Sequence, residues 1–241
     1  MQKVLKKIIN KNFFEPAWFS ILANPYFIAR YQLFKKIQEF SKSDWSEKKI
    51  LDVGCGIKPY QNLFKQADDY IGIDIKGGGH YDQAKYVDRY FDGINIPFEE
   101  NSFDLVICTQ VLEHSENPVG LLKEMNRALK KDGQLYLTMP FVWNEHETPF
   151  DFRRFTRFEH ERILKQANFL ENKIEPTCGV FGVCGQLISA FIFENLAGKN
   201  ILTKIFVSLV ICFPVQTIFI ILDFIFKNSW ITLDYIITTK K

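Results

Sequence analysis

Apolar and polar positions change their spacing along the chain, and this spacing predicts where the strands and helices lie. Between residues 49 and 141, short apolar runs alternate with longer amphipathic stretches. Short runs of this kind are typical of strands buried in a parallel sheet. The pattern predicts strands at Ile50–Gly54, Tyr70–Ile75, Tyr86–Tyr90, Phe103–Thr109 and Gly133–Phe141. Strands that alternate with helices indicate an α/β fold with a doubly wound, mostly parallel sheet.

Two helices of this region carry their own start and stop signals. Asn117 can cap the first helix, Pro118 suits its first turn, and Gly133 is predicted to end it. The second helix is predicted to begin at Thr156, where a Thr-x-x-Glu pattern forms a capping box, and to continue to about Asn168. Both helices lie where a doubly wound sheet requires a connection between strands.

The two flanks of this region differ from it. Residues 1–47 predict helices rich in aromatic side chains, and residues 1–11 place apolar side chains on one helical face and lysines on the other. Ile205–Leu222 contains no charged residue and is near the lower length limit for a helix that spans a membrane. A shorter apolar stretch precedes it at Val180–Phe193, and Pro214 is expected to kink the longer helix.

Composition narrows the classes of partner and site. The formal net charge of +2 makes no electrostatic case for a nucleic-acid partner. Residues 1–49 carry ten Lys or Arg against four acids, so this segment would be attracted to anionic lipid. The five cysteines form no CxxC pair, so neither a disulfide framework nor a metal site is predicted.

A glycine turn after the first predicted strand marks the candidate cofactor site. Gly54 and Gly56 allow the backbone to turn tightly and to approach a ligand closely. Asp52 precedes the turn, Asp74 ends the second strand and Asp92 follows the third. Ligands of such sheets bind at the carboxyl ends of the strands, so these carboxylates are expected to surround one ligand. They suit a ligand with an ammonium and a sulfonium better than the pyrophosphate of a dinucleotide, which would need a small residue where proline stands.

These segments together resemble the motifs of class I S-adenosylmethionine-dependent methyltransferases. The likeness covers residues 48–142, in the segments Ile50–Gly56, Tyr70–Ile75, Asp92–Phe98, Phe103–Val106 and Val111–His114. It implies a Rossmann-like methyltransferase fold with seven strands. The sixth strand would lie near Glu171–Thr177, and the seventh, Trp230–Thr239, would pair antiparallel beside it.

The resemblance also implies S-adenosyl-L-methionine as the cofactor and nine residues that hold it. Asp52, Gly54 and Gly56 would line its methionine end, Asp74 would hold the ribose, and Asp92 and Gly93 would lie beside the adenine. Gln110 would lie near the methionine or the acceptor, and Cys55 and Ile75 complete the set. The third glycine of the family's longer pattern is Lys58 here.

The segment after the fifth strand, Pro140–Thr156, is the predicted acceptor site. It mixes aromatic faces with fixed charges, so Trp143 could stack on a sugar while Arg153 and Arg154 hold a phosphate. Alternatively, the two arginines pair with carboxylates of the segment and only order the loop.

An enzyme that methylates a hydroxyl usually needs a base to remove the hydroxyl proton. His146 is the predicted base and Glu147 the acid that orients it, with His114 as the second choice. The spacing H-E-x-P-x-D-F-R-R-x-T, which begins at His146, resembles a subgroup of bacterial methyltransferases associated with surface-polysaccharide and cell-wall glycan pathways. This second resemblance implies a sugar hydroxyl as the acceptor.

The seventh strand constrains the apolar stretches, because a single membrane crossing would place that strand on the wrong side. A helical hairpin dipping into the bilayer, helices lying in its surface, a cap over an apolar acceptor, and a buried subdomain or dimer interface remain open. The predicted domains are an N-terminal helical arm at 1–47, a methyltransferase core at 48–178, a hydrophobic helical insertion at 179–228 and the final strand at 229–241. We expect membrane contact through residues 1–11 and 179–226.

Three hypotheses for the function follow. The first is an enzyme that O-methylates a glycan or lipid-linked sugar at the cytoplasmic face of the inner membrane, as a peripheral or monotopic protein. The second is methylation of a quinone-like or other small lipid. The third is a membrane-tethered protein that binds S-adenosylmethionine without turnover. No nucleic-acid partner is expected.

Overall fold

The computed structural model describes residues 13–77 and 85–241. Its strands are β1 (Lys49–Val53), β2 (Asp69–Ile75), β3 (Arg89–Phe91), β4 (Phe103–Thr109), β5 (Leu129–Pro140), β6 (Leu170–Pro176) and β7 (Asp234–Lys240). Its helices are α1 (Phe27–Phe40), α2 (Pro118–Ala128), α3 (Arg157–Gln166), α4 (Val180–Leu196), α5 (Ile201–Phe206) and α6 (Phe213–Ile225). Short 3-10 helices lie at Trp18–Leu22, Gln61–Phe64 and Leu112–His114. The amphipathic segment at residues 1–11 lies outside the described residues.

The seven strands form one sheet in the order β3-β2-β1-β4-β5-β7-β6. The pairs β1–β2, β1–β4, β2–β3 and β4–β5 are parallel. Thr239 Oγ1 donates to Leu170 O at 2.5 Å, whereas Thr177 N donates to Asp234 O at 3.1 Å. Contacts in this reversed order make β7 antiparallel to β6. The predicted fold class, a doubly wound and mostly parallel sheet of seven strands, is therefore confirmed.

The first predicted helix begins as expected but ends earlier. The Asn117 side chain accepts a hydrogen bond from Gly120 N at 2.9 Å, and Pro118 occupies the first turn. The helix ends at Ala128 instead of Gly133, because Leu129 already has an extended backbone and the following residues belong to β5. Lys130, placed by the sequence in the last helical turn, instead bonds to Asp104 at 2.7 Å.

Other boundaries also move. The third strand is Arg89–Phe91 instead of Tyr86–Tyr90, because its pairing with β2 sets Tyr90 opposite Asp74. The second predicted helix ends at Gln166, and the Thr156 side chain caps its start. The last strand begins at Asp234, and Trp230, where the sequence had started it, is 90% exposed.

The described chain divides into two compact units. One contains residues 40–175 and 235–241 and is called the sheet unit, and the other contains residues 13–39 and 176–234 and is called the helical unit. The division of the sequence into four segments stays a prediction. The core of the sheet unit is built by the central strands and by the apolar faces of α2 and α3, whose residues Leu121, Met125 and Leu164 are buried.

The helical unit is a hairpin of α4 against a second helical segment. α5, a π-helical turn at Val207–Cys212, and α6 continue one another, and the turn directly precedes Pro214. Proline lacks an N–H and crowds the turn that precedes it. The π-helical turn before Pro214 is a distortion of the kind that such a proline causes in a helix. At the open end of the hairpin, the Asp223 carboxylate accepts hydrogen bonds from Gly179 N and Gly182 N at 3.0 and 2.9 Å.

His160 on α3 should make the stability of the protein sensitive to acid. Its side chain is fully buried between the rings of Phe155 and Tyr235, and neither ring nitrogen has a hydrogen-bond partner among the described residues. This burial lowers the pKa of His160 from 6.5 to about 4, against a smaller opposing effect of the Glu159 charge. The unfolded chain therefore binds a proton that the native state does not bind between about pH 6.5 and pH 4.

We expect His160→Phe to reduce the loss of stability in acid. In the wild type, the neutral imidazole costs about 1.4 kcal/mol of unfolding free energy for each pH unit below 6.5, up to about 3 kcal/mol near pH 4. A phenyl ring of similar shape removes this dependence and leaves stability at pH 8 little changed. Denaturant unfolding of both proteins at pH 8 and pH 5 measures the difference. Equal losses between the two pH values in wild type and variant would contradict it.

Candidate active site

The turn after β1 has the backbone that a closely bound ligand requires. Gly54 and Gly56 both have positive φ angles, of 69° and 51°. A Cβ atom on Gly54 would lie 2.3 Å from Val111 Cγ2, so no side chain fits there. Lys58, at the place of the family's third glycine, also has a left-handed backbone, with φ of 52°. The turn thus keeps the conformation of the glycine pattern although its third glycine is missing.

Lys58 is held in this position by an acid. Its ammonium pairs with Asp88, and the same carboxylate oxygen accepts a hydrogen bond from Gly72 N at 2.7 Å. A left-handed conformation costs a residue with a side chain roughly 1–2 kcal/mol. The ion pair with a largely buried ammonium offsets part of that cost.

Asp74 lies at the carboxyl end of β2, and Asp92 follows the neighbouring strand β3. Asp74 Oδ2 accepts a hydrogen bond from Gly56 N at 2.9 Å, which joins the end of β2 to the glycine turn. Asp92 Oδ1 accepts from Ile94 N and Asn95 N at 2.9 and 2.6 Å and so closes the turn after β3. A Cβ atom on Gly93 would lie 3.6 Å from Ile75 Cγ2, so the ends of these two strands are adjacent.

Asp52 differs from the other two carboxylates because it is enclosed in the sheet unit. It is 2% exposed and accepts a hydrogen bond from the Tyr70 hydroxyl at 2.7 Å. Burial raises the pKa of Asp52 to about 7. The three carboxylates therefore do not present equal charge at the edge of the sheet, and Asp74 is the one in contact with the glycine turn.

Two further residues predicted to hold the cofactor have side chains that are engaged within the protein. The Cys55 thiol is buried, and burial raises its pKa, so it is not a reactive thiolate. Gln110 follows β4 with a φ of 57°, and its side-chain amide donates to Thr138 Oγ1 at 3.2 Å. The contacts of all nine residues with a cofactor stay a prediction.

This edge fits S-adenosylmethionine. Because Gly54 has no Cβ atom, its backbone stays open to a ligand in the space that a side chain would occupy beside Val111. Asp74 lies at the end of the neighbouring strand, in contact with the glycine turn. A carboxylate in this position can accept hydrogen bonds from the two ribose hydroxyls. Gly54, Gly56 and Asp74 are therefore the residues that would hold it.

Two histidines lie together beyond β4 and β5. The His114 and His146 ring centroids are 4.9 Å apart in an edge-to-face arrangement. His114 Nδ1 is 3.0 Å from Phe150 O, and His146 Nδ1 is 3.1 Å from Asp151 Oδ2. Nδ1 of His146 is also 3.3 Å from Asn144 O, its hydrogen-bond partner. Nε2 of His114 lies 3.8 Å from Glu113 Oε1, so Nε2 of His146 is the better placed of the two to serve a substrate.

Asp151 is a carboxylate in contact with the His146 ring, a residue that the sequence did not single out, and the predicted roles of His146 and Glu147 stay predictions. The Asp151 side chain is 3% exposed, and it accepts a hydrogen bond from His146 N at 3.0 Å besides the ring contact. Arg154 donates to both of its oxygens at 2.6 and 2.7 Å. These bonds to Arg154 lower the pKa of Asp151 to about 2, so the carboxylate is ionised at neutral pH. Glu147 is exposed.

Both arginines bond within the protein, but only Arg154 pairs with a carboxylate of the segment, as the alternative expected of both. Arg154 is bound to Asp151, as above, and also donates to Asn144 O at 3.2 Å. Arg153 donates to Ser115 O and to Glu116 O, which ties the loop to the segment after β4. A guanidinium with these partners is not free to clamp a phosphate bidentately. Substrate contacts of Arg153, Arg154 and the half-buried Trp143 stay predictions.

Sequence analysis predicted no metal site, but three side chains converge here. Glu113, His114 and His146 each offer one ligand atom, and these atoms lie within 4.8 Å of one another. Glu113 is fully buried. This group could hold a metal ion, so any assay of the site needs a chelator control.

A family model described as a methyltransferase domain matches residues 27–172. Among curated proteins, the chain is similar to the tRNA U34 carboxymethyltransferase of Sulfurovum sp., with 27% identity over 143 residues, covering 54% of this chain and 46% of that protein. It is also similar to the mitochondrial ubiquinone biosynthesis O-methyltransferase of Schizosaccharomyces pombe, with 25% identity over 168 residues, covering 56% of this chain and 59% of that protein. The chain spans about half the length of these relatives.

The fold is also similar to that of solved structures. A SAM-dependent methyltransferase from Archaeoglobus fulgidus superposes with a TM-score of 0.56 and 17% sequence identity, and the match covers 98% of this chain and 99% of that chain. At this level of identity the likeness concerns the fold alone.

Proposed function

This chain belongs to the class I S-adenosylmethionine-dependent methyltransferases, and we propose that it methylates a hydroxyl oxygen of a membrane-held acceptor. The observation that carries the proposal is the contact of the His146 ring with the ionised Asp151 carboxylate. Together they form a base of the kind that a hydroxyl acceptor needs. A protein that only binds the cofactor has no use for such a pair.

The proposed roles follow from this geometry. The Asp151 carboxylate lies 3.1 Å from Nδ1 of His146 and attracts the edge of the ring that carries this nitrogen, and Nε2 accepts the proton of the acceptor hydroxyl. Arg154 keeps Asp151 ionised, and His114 packs edge-on against His146 and limits its rotation. When bound, S-adenosylmethionine supplies the methyl group from its sulfonium and is left as S-adenosylhomocysteine.

The favoured acceptor is a sugar hydroxyl of a lipid-linked saccharide. Phe150 and Phe152 lie in the same loop as His146, are 57% and 42% exposed, and can offer their faces to a sugar ring. The resemblance of this loop to methyltransferases of glycan pathways supports the same class. The internal bonds of Arg153 and Arg154 give no support to recognition of the phosphate of such an acceptor.

A quinone-like phenol is the second candidate. One relative is named as a ubiquinone biosynthesis O-methyltransferase, and a loop with exposed aromatic rings and engaged arginines suits a flat apolar acceptor. Another relative is named for tRNA, so the absence of a nucleic-acid partner is a prediction that needs its own test.

The test supplies methyl-labelled S-adenosylmethionine and the whole chain with separate acceptor pools. These are lipid-linked saccharides, quinone-containing neutral lipids and total tRNA. We expect label in the saccharide pool, recovered as an O-methyl sugar after hydrolysis. Label in the quinone pool would replace the first acceptor by the second. Label confined to tRNA, or no transfer, would overturn the proposal.

A chelator arm separates the base from a metal. We expect labelling to survive EDTA, because the His146–Asp151 pair needs no ion. Loss of labelling with EDTA that a divalent cation restores would assign Glu113, His114 and His146 to a metal and would contradict the role of His146 as base.

A further inference from the structure

The helical unit exposes an unusually large amount of apolar surface. Of the 26 large apolar side chains that are exposed in the described residues, 19 belong to this unit. They include Phe191 on α4 at 68%, Phe224 on α6 at 73% and Trp18 at 75% exposure. Soluble monomers rarely leave apolar patches of this extent in water, so the surface calls for a partner.

Two glutamines of the hairpin point away from the exposed apolar side chains. Gln186 is fully buried, accepts a hydrogen bond from Ala29 N at 3.0 Å and donates to Pro25 O at 3.0 Å. Gln216 is also fully buried and donates to Asn24 O at 3.0 Å. One face of the hairpin is thus covered by the polypeptide at residues 24–29, and most of the large side chains left exposed are apolar, with Glu194 and Asn195 exposed near the end of α4.

The face covered by residues 24–29 limits the orientations that the hairpin can adopt in a bilayer. Ile201–Ile225 is a continuous helix, long and apolar enough to cross a bilayer, and only 22% of its most apolar window is buried. A crossing hairpin would carry the segment at residues 24–29 and the following helix, with Arg30, Lys35 and Lys36, into the hydrocarbon. Charged side chains at that depth are costly, so the crossing orientation is disfavoured.

We propose that the helical unit lies in the plane of one leaflet of a lipid bilayer, with the exposed apolar face of α4, α5 and α6 among the acyl chains. Its charges are placed for this orientation. The stretch between Lys204 and Asp223 has no charged residue, while Lys199 and Lys204 flank one end of the hairpin and Lys227 the other. Lysines at both ends can reach anionic headgroups, and an amphipathic helix with this pattern binds in the interface. A surface that binds a protein usually surrounds its apolar core with a polar rim, whereas this face is aliphatic and aromatic along its length, so a bilayer is the partner that we favour.

The test is flotation of the detergent-free whole chain with vesicles of phosphatidylcholine and phosphatidylglycerol. We expect the wild type to float. Phe191→Ser combined with Phe224→Ser should weaken partitioning into the vesicles at least about tenfold, because two phenyl rings that would be buried among the acyl chains are lost. Phe158→Ser is the matched control, since Phe158 is 65% exposed but lies on α3 in the sheet unit. It should float like the wild type.

A second measurement needs no apolar variant. Brominated phosphatidylcholine should quench the fluorescence of the exposed Trp18 and Trp230, and the quenching should fall in Trp18→Phe combined with Trp230→Phe. Trp45 is 4% exposed and provides the unquenched reference. The proposal is overturned if the double variant Phe191→Ser and Phe224→Ser floats like the wild type, or if Phe158→Ser weakens flotation as much as the double variant does. It is also overturned if brominated lipid does not quench the tryptophan fluorescence. It is also overturned if the wild type forms a lipid-free oligomer that the same pair dissociates, since a second copy would then cover the face.

Discussion

His146→Gln is expected to lower the methyl-transfer rate by roughly 10²–10⁴-fold and to leave the affinity for S-adenosylmethionine unchanged. The imidazole Nε2 is the atom that we expect to take the acceptor proton, and Asp151, 3.1 Å from Nδ1, orients the ring for it. A glutamine amide keeps the volume and polarity of the side chain but accepts no proton at neutral pH. Single-turnover rates with labelled donor, together with calorimetric titration of the donor, measure the two quantities separately.

Neighbouring carboxylates supply the controls for this prediction. Asp151→Asn should lower the rate as well, because it removes the ionised partner of the His146 ring and the bidentate bond to Arg154. Glu147→Gln should keep the rate, since the ring contact lies at Asp151. Full turnover in His146→Gln, or a larger loss in Glu147→Gln than in Asp151→Asn, would remove His146 and Asp151 from the mechanism.

Gly54→Ala is expected to weaken the binding of S-adenosylmethionine about a hundredfold. The new Cβ atom would lie 2.3 Å from Val111 Cγ2, at a backbone φ of 69°. Left-handed strain of roughly 1–2 kcal/mol and overpacking of roughly 1–3 kcal/mol must be relieved by movement of the turn. A combined cost of about 3 kcal/mol corresponds to about a hundredfold loss of affinity. Calorimetry with the donor, after a thermal melt confirms folding, measures it.

The two causes can be separated. Gly198→Ala is the control for a left-handed glycine outside the turn, at a φ of 56° with the nearest atom 4.0 Å away, and it should keep donor affinity. Val111→Ala added to Gly54→Ala removes the clash but not the strain, so it should restore part of the affinity. Wild-type affinity in Gly54→Ala would show that the donor does not lie against this turn.

Local patterns were sufficient for the sheet and for the cofactor edge. The strand at Phe103–Thr109 has its predicted bounds, because a short apolar run between charged and polar residues is buried on both faces wherever it lies in a parallel sheet. The Asn117 cap and the first turn at Pro118 are likewise local interactions. Boundaries that depend on pairing moved, as in Leu129–Asp132, which the sequence placed in a helix and its last turn and which joins β5 opposite β4.

The contact between Asp151 and the His146 ring could not be read in this way. Glu147 is next to His146 in sequence, and Asp151 is five residues away in a loop with no periodic pattern. The backbone of the loop decides which carboxylate reaches the ring, and bonds from Arg153 to the segment at residues 115–116 shape that backbone. The spacing of three residues between Asp151 and Arg154 could have predicted their ion pair. It could not have predicted that Asp151 also lies beside the His146 ring.

By itself the sequence determined the alternation of strands and helices, the glycine turn and the charge-free stretch at Ile205–Leu222, because each is a property of neighbouring residues. Only the tertiary structure decided that Asp52 is enclosed, that Asp151 meets His146, and that one face of the hairpin is covered by residues 24–29. These features depend on contacts between residues far apart in the chain. Burial and hydrogen-bond geometry exist only once those contacts form. They set the charge of Asp52, and they decide which side of the hairpin is left exposed.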